Sequence, residues 1–187
     1  MIYLASKSPR RRELLDQISI RYEVIDVDID ETWDGKAAAH IHVPMLALRK
    51  ARAAYDSVSN NPHRPVLAAD TEVFLDDKPL GKPDNIDAAV NMLQQLSGRT
   101  HQVYSAVALI ADQDYTALSI SRVSFRPLSI DECRKYVETG ESLDKAGGYG
   151  IQGHAAGFIS ELHGSYSGVM GMPLFETTEL LRQANLL

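Results

Sequence analysis

Apolar residues recur along this chain in short unbroken runs and at helical intervals, and the two patterns alternate from residue 2 onward. The runs at 2–5 and 66–75 are typical of buried strands, and alternation of apolar with polar residues indicates another strand at 22–27. Two longer strands are predicted at 101–111 and 115–125, joined by a short polar turn. Apolar residues spaced three to four positions apart predict helices at 9–17, 42–57, 86–96, 130–140 and 173–184.

Capping residues mark where these helices begin. Ser8 is the predicted cap of the first helix, and Pro9 suits its first turn because the N–H that proline lacks would be unpaired there. Asn85 is the expected cap of the helix at 86–96, and Ser129 with Glu132 matches a capping box. Glycines mark two of the ends, because Gly98 follows the helix at 86–96 and Gly140 closes the helix that begins after Ser129.

Turn residues and glycines divide the rest of the chain. Asn, Pro and Arg residues predict a loop at 60–65, and two aspartates after the strand at 66–75 predict a hairpin turn. The glycine-dense segment 147–153 is expected to be a loop that approaches a ligand closely, because glycine leaves room for it. A short strand is predicted at 157–162.

Length and composition limit the classes of protein that this chain can be. Its 187 residues suit one α/β domain over 1–187, with the glycine-rich third quarter as a possible second lobe. A net charge of −6 argues against broad binding of nucleic acid or of anionic membranes, which need a basic face. The single cysteine, Cys133, lies in a helical pattern and is expected to be a core thiol. No apolar stretch approaches the ~18 residues of a membrane span, so we expect a cytoplasmic protein.

The segment 2–15 combines features of a phosphate-binding arrangement. A buried strand is followed at once by Ser-Lys-Ser-Pro and by a helix that begins with three arginines, Arg10, Arg11 and Arg12. The free N–H groups and the positive end of the helix dipole attract anions, and Lys7 adds a further positive charge. We interpret this segment as half of a nucleotide site.

Asp70 is the acidic residue most suited to chemistry, because it lies inside a nearly continuous apolar strand. A carboxylate there is costly to bury unless it is paired, bound to a metal or exposed in a cleft, so a purely structural ion pair stays open as an alternative. Glu31 follows Asp28 and Asp30 in an acidic turn, which taken alone is typical of a solvated surface. Together, Asp70 and Glu31 offer the oxygen ligands that Mg²⁺ shares with substrate phosphates.

Several cations stand at positions that favour phosphate binding, although each taken alone is typical of a solvated side chain. Arg11 is at a helix start and Lys50 is next to an apolar stripe, while Lys82 and Lys145 lie in turns rich in Gly or Pro. The motifs of P-loop, Rossmann and serine hydrolase sites are missing from the sequence. His40 and His42 are interpreted as surface residues.

Motifs along nearly the whole chain resemble, in the same order, those of the Maf family of nucleoside triphosphate pyrophosphatases. These motifs are SKSPRRRELL (6–15), LRKARA around Lys50, AADT around Asp70, GKP (81–83), SGRTHQVYSAV (97–107), DKAGGYGIQG (144–153) and HGSYSGVMGMPL (163–174). The resemblance implies an α/β fold similar to that of the inosine triphosphatases. Its elongated mixed β-sheet would be flanked by helices, with the active cleft between two lobes.

The resemblance also implies a role for each matching residue. Asp70 would be the catalytic acid, and Glu31 would help it to bind a divalent cation, Mg²⁺ or Mn²⁺. The phosphate ligands would be Ser8, Arg11, Lys50, Lys82 and Lys145. Arg10, Thr71 and Gln152 match the branch that acts on dTTP and UTP, whereas Trp, Gln and Glu there resemble the branch that cleaves 7-methyl-GTP. Ser105 and Met172 stand where the family usually has Thr and Leu, and neither departure changes a charged site residue.

The expected activity is hydrolysis of dTTP, UTP and modified pyrimidine nucleotides to the monophosphate and pyrophosphate. One alternative is a non-catalytic, nucleotide-binding regulator of cell division, and another is a pyrophosphatase for 7-methyl-GTP or other purine nucleotides. The family further suggests a homodimer, and the acidic charge balance predicts that neither nucleic acid nor a membrane is a partner.

Overall fold

The computed structural model describes residues 1–33, 35–58 and 64–187, so residues 60–63 of the predicted loop at 60–65 lie outside the described residues. The strands are β1 (Ile2–Ala5), β2 (Tyr22–Ile25), β3 (Val66–Leu75), β4 (Lys78–Pro79), β5 (Thr100–Ile110), β6 (Asp114–Phe125) and β7 (Ile159–His163). The α-helices are α1 (Pro9–Gln17), α2 (Ala39–Ser57), α3 (Ile86–Leu96), α4 (Ile130–Glu138), α5 (Tyr166–Met170) and α6 (Leu174–Gln183). Short 3₁₀ helices follow α4 at Ala146–Gly148 and His154–Phe158.

The described strands form one seven-stranded mixed sheet in the order β2-β1-β3-β5-β6-β7, with β4 paired to β3. β1 runs parallel to β2 and β3, whereas β3 with β4 and β6 with β7 are antiparallel. Ala5, the last residue of β1, pairs with Ala68 of β3. β3 continues past that point, so Asp70 lies just beyond the carboxyl end of the neighbouring strand β1. Ligands of open α/β sheets bind beside the carboxyl ends of the strands.

The described residues fall into two compact units, which alternate along the chain. The first comprises Met1–Thr71, Ser105–Ser119 and Gly171–Leu187, and the second comprises Glu72–Tyr104 and Ile120–Met170. In the first unit, β1 is buried along its whole length and contacts α2, and Leu14 and Leu15 of α1 are also buried. The prediction of a single domain over 1–187 stays a prediction.

The second unit has its own core, which contains a cluster of aromatic rings. His101 and Phe125 each contact Tyr149 edge to face, and Tyr136 contacts Phe158 in the same way. His101 Nε2 and the Tyr149 hydroxyl share a hydrogen bond of 2.7 Å. Burial lowers the pKa of His101 to about 4 and raises the pKa of Tyr149, because neither side chain is easily charged inside this core.

Most local predictions are confirmed. The Asn85 side chain accepts a hydrogen bond of 2.9 Å from Ala88 N, and Ser129 with Glu132 forms the predicted capping box. Asp76 and Asp77 both adopt positive φ angles, of 50° and 61°, in the hairpin between β3 and β4. Cys133 is fully buried, as expected of a core thiol.

Three predictions are wrong in part. The Ser8 hydroxyl forms no capping hydrogen bond; instead, Ser8 N donates to Ser6 Oγ over 3.2 Å, because the turn brings the earlier hydroxyl to it. His42 is buried, 6% exposed, because it lies on the same face of α2 as the buried residues Leu46 and Lys50, and its ring contacts Trp33. β7 starts at Ile159 because a 3₁₀ helix occupies the preceding residues.

No helix among the described residues is both long enough and apolar enough to cross a membrane.

We predict that His101 makes the stability of the protein depend on pH between 6.5 and 4. Because its pKa falls from 6.5 to about 4 on folding, the unfolded chain binds more protons in this range, and stability falls as the pH is lowered. The free energy of unfolding should therefore fall more steeply in the wild type than in His101→Phe, by about 1 kcal/mol per pH unit. Urea unfolding at pH 7, 6 and 5 measures this difference, and equal slopes would contradict it.

Candidate active site

Lys50, Asp70 and Glu31 form one ion cluster in the first unit. Lys50 lies on the buried stripe of α2, and its Nζ is 2.6 Å from Asp70 Oδ1 and 2.8 Å from Glu31 Oε1. Lys50 and Asp70 are 8% and 4% exposed, whereas the Glu31 carboxylate is open to solvent. The sequence predicted all three residues as site residues, and the structure brings them together around one ammonium group.

The second oxygen of Asp70 is the exceptional atom of this cluster. Asp70 Oδ2 is buried and accepts no hydrogen bond from any described residue. Leaving a buried carboxylate oxygen without a partner is costly, and such atoms are typical of sites that take up a proton, a water or a cation. The local geometry therefore favours chemistry at Oδ2 over a purely structural ion pair.

Asp70 and Glu31 also fit a divalent cation of the magnesium type. Magnesium ions are commonly bound through one or two carboxylates, with water and substrate phosphates completing the shell. In the described part of the chain, no group of three or more His, Cys, Asp or Glu side chains is arranged around a metal site. The two carboxylates of Asp70 and Glu31 match the small number of protein ligands that such an ion needs, and Asp70 Oδ2 accepts no hydrogen bond from a described residue.

The Gly171 carbonyl accepts hydrogen bonds from two predicted site residues, Arg11 and Thr71. Arg11 Nε donates to it over 2.8 Å, and Arg11 Nη1 donates to Ser6 Oγ over 3.3 Å, so two bonds fix the guanidinium plane. Burial lowers the pKa of Arg11, and the nearby charges of Asp70 and Glu31 oppose that shift. The arginine predicted as a phosphate ligand is thus oriented before any ligand arrives.

Thr71 contacts the same carbonyl. Its Oγ1 donates to Gly171 O over 3.2 Å and shares a hydrogen bond of 2.7 Å with Ser105 Oγ. The sequence did not identify Ser6, Ser105 and Gly171 as site residues. Gly171 has a φ of 127°, which favours glycine, and its place in a glycine-spaced motif was the signal that could have revealed it.

In the second unit, the loop of Lys82 contacts the loop of Lys145. Gly147 N donates to Gly81 O over 2.8 Å, immediately beside Lys82. Lys145 Nζ donates to Glu141 O over 2.5 Å and to Asp144 Oδ1 over 2.6 Å. Lys82 is exposed, whereas Lys145 is half-buried by these contacts.

The side chains of Lys145 and Gln152 both lie close to Gly150. A Cβ on Gly150 would lie 3.0 Å from Lys145 Cε and 3.6 Å from Gln152 Oε1. A glycine here therefore leaves space that the Lys145 side chain occupies closely, with the Gln152 side chain beside it. Gln152 itself is exposed.

Two further predicted site residues, Ser8 and Arg10, lie near the first turn of a helix. Arg10 and Ser8 lie at the start of α1 and are partly exposed. Lys7, which the sequence grouped with them, forms a surface ion pair of 2.8 Å with Asp26. The individual roles of the predicted site residues stay predictions.

Comparison with known proteins gives a consistent result. A family model described as Maf-like protein matches residues 1–184. The chain is 52% identical to a dTTP/UTP pyrophosphatase of Alkalilimnicola ehrlichii, over 96% of this chain and 91% of that protein. It is 50% identical to a dTTP/UTP pyrophosphatase of Aromatoleum aromaticum, over 96% of this chain and 93% of that protein.

Two solved structures resemble the chain more distantly. A nucleoside-triphosphatase (dITP/XTP pyrophosphatase) from Mycobacterium abscessus has a TM-score of 0.43 and 20% identity, covering 66% of this chain and 73% of that one. The Ham1 protein of Staphylococcus aureus has a TM-score of 0.47 and 17% identity, covering 66% and 71%.

We predict that Lys50→Met destabilises the protein by about 3–5 kcal/mol at pH 7, because it leaves the buried Asp70 charge without its partner. Adding Asp70→Leu should restore most of this loss, since an apolar pair needs no compensating charge. Urea unfolding measures both effects.

Arg52→Met is the matched control, because Arg52 lies on the same helix and pairs with Asp114 at the surface. It should cost less than about 1 kcal/mol. Equal stability of Lys50→Met and the wild type would contradict the prediction.

Proposed function

The chain belongs to the Maf-like protein family, and from that premise we propose that it hydrolyses dTTP and UTP to the monophosphate and pyrophosphate. Relatives that share about half of its residues over more than 90% of both chains bear the name dTTP/UTP pyrophosphatase. The observation that carries the proposal is the buried Asp70 carboxylate, held at Oδ1 by Lys50 and free of hydrogen bonds from described residues at Oδ2.

In the proposed reaction, Asp70 Oδ2 accepts a proton from a water molecule as that water attacks the α-phosphorus in line. A new bond forms between phosphorus and the water oxygen, and the bond from the α-phosphorus to the bridging oxygen breaks. Pyrophosphate leaves with the electron pair of that bond, and the nucleoside monophosphate remains. Lys50 holds the carboxylate at Oδ1 and fixes its direction, which is the positioning that phosphoryl transfer requires.

Asp70 and Glu31 are the residues that would hold Mg²⁺ or Mn²⁺. A divalent cation held there would neutralise charge on the phosphate oxygens and make water a better nucleophile. Because Lys50 bridges the same two carboxylates, it keeps them together and limits their mutual repulsion.

Charge neutralisation is the proposed task of the remaining cations. Arg11 is suited to grip phosphate oxygens, because its guanidinium is already fixed by Gly171 and Ser6. Following the family motifs, we assign the other phosphate contacts to Ser8, Lys50, Lys82 and Lys145. Arg10, Thr71 and Gln152 are the proposed determinants of the base. A cytoplasmic location and a homodimer stay predictions.

We predict that Asp70→Asn lowers turnover of dTTP and UTP on the order of 10²–10³-fold, because it removes the proton acceptor and one of the two carboxylates. Pyrophosphate release with Mg²⁺ or Mn²⁺, and with chelator, is the measurement. Asp76→Asn is the control, since Asp76 is an exposed acid paired with Arg99 just after the same strand.

Turnover by Asp70→Asn near that of the wild type would overturn the assignment of Asp70. Nucleotide binding by the wild type without any pyrophosphate release would favour a non-catalytic regulator.

We predict that the triple variant Arg10→Trp, Thr71→Gln, Gln152→Glu loses at least tenfold in kcat/KM for dTTP and UTP and gains activity on 7-methyl-GTP. The methylated guanine carries a positive charge, which a carboxylate and an aromatic face attract. Pyrophosphate release from the three nucleotides measures the change. An unchanged order of preference would show that these positions do not select the base.

A further inference from the structure

Glu141 contacts both ends of the glycine-dense loop that carries Lys145 and Gln152. Its carbonyl accepts a hydrogen bond of 2.5 Å from Lys145 Nζ. Its carboxylate accepts from His154 twice, over 2.6 Å from Nδ1 and over 3.1 Å from the backbone N. One residue just after α4 therefore links the beginning of the loop to its end.

Gly153 makes room for this carboxylate. A Cβ at Gly153 would lie 2.6 Å from Glu141 Cδ, so any other residue there would overlap the carboxylate. The φ of Gly153 is −103°, which any residue adopts, so the requirement at this position is space rather than backbone conformation. Glu141 thus packs directly against the backbone that follows Gln152.

A third contact fixes the middle of the same loop. Gly150 N donates over 3.0 Å to the hydroxyl of Tyr136, which lies in the last turns of α4 and is buried. Gly150 is also the residue whose missing side chain leaves space for the side chains of Lys145 and Gln152. The loop is therefore attached to the end of α4 at its start, its middle and its end.

We propose that Glu141 is a positioning residue for nucleotide recognition, which sets where Lys145 and Gln152 are presented. This inference rests on the proposed function, because that function gives Lys145 and Gln152 their contacts with the nucleotide. A loop with glycines at 147, 148, 150 and 153 has much backbone freedom to lose on binding. Contacts that order it in advance lower that cost, so their loss should weaken binding more than turnover.

Glu141→Ala and Gly153→Ala test the proposal by two routes, one removing the carboxylate and the other displacing it. Each should raise KM for dTTP and UTP about tenfold, while kcat stays within about threefold, because Asp70 and Lys50 are untouched. Gly157→Ala is the matched control, since a Cβ at Gly157 meets no atom within 4 Å. Its kinetic constants should equal those of the wild type.

Two further variants separate positioning from a merely structural role. The double variant Glu141→Ala, Gly153→Ala should be no worse than either single variant, because both remove the same contact. Glu141→Gln keeps an oxygen that accepts from His154 N, and should restore most of the lost affinity. A lower Tm with unchanged KM in Glu141→Ala would overturn the proposal and leave Glu141 a structural role alone.

Amide hydrogen exchange without nucleotide provides a readout that does not depend on catalysis. Exchange at Gly150 and His154 should be faster in Glu141→Ala than in the wild type, with exchange along β5 unchanged. If the wild type released no pyrophosphate from dTTP or UTP, the proposed function would fail while exchange still decided whether Glu141 orders the loop. Unchanged exchange at both amides would overturn the inference in either case.

Discussion

The ion pair between Lys50 and Asp70 is the interaction on which the first unit depends most. It joins the buried face of α2 to the centre of β3. Desolvating two charges costs several kcal/mol, which their attraction offsets only when the two groups are close and well oriented. The pair therefore constrains how the helix lies on the strand, while the second Asp70 oxygen, near the carboxyl end of β1, accepts no hydrogen bond from any described residue. Structural and chemical requirements converge on the same carboxylate.

The Gly171 carbonyl shows how a distant segment completes that edge. Arg11 and Thr71 both donate to it, across 160 and 100 residues of sequence. A carbonyl with two lone pairs can accept two donors at once, so a single backbone position orients one residue proposed for phosphate and one proposed for the base. Gly171 holds the positive φ that aims its carbonyl at both side chains.

In the second unit, close packing and hydrogen bonds hold the glycine-dense loop at 147–153 in place. Gly147 has a φ of 75°, and a Cβ there would lie 3.0 Å from Val73 Cγ2, so close packing as well as backbone conformation requires glycine. Backbone N–H groups in and just after the loop donate hydrogen bonds to Gly81, Tyr136 and Glu141, and these bonds compensate for the missing side-chain contacts. The sequence predicted that these glycines leave room for a ligand, and the structure shows that Gly147 and Gly153 also leave room for Val73 and Glu141.

Local signals in the sequence determined the elements of the fold. The cap at Asn85, the capping box at Ser129 and the hairpin after β3 depend on neighbours a few residues away, and Lys50 and Asp70 stand out because a charge in an apolar pattern demands a partner. Only the tertiary structure decided that this partner is the other member of the pair, that Ser6 rather than Ser8 bonds at the start of α1, and that Gly153 faces Glu141. These outcomes depend on which distant or competing atoms arrive at one point in space, and residue spacing along the chain does not encode that.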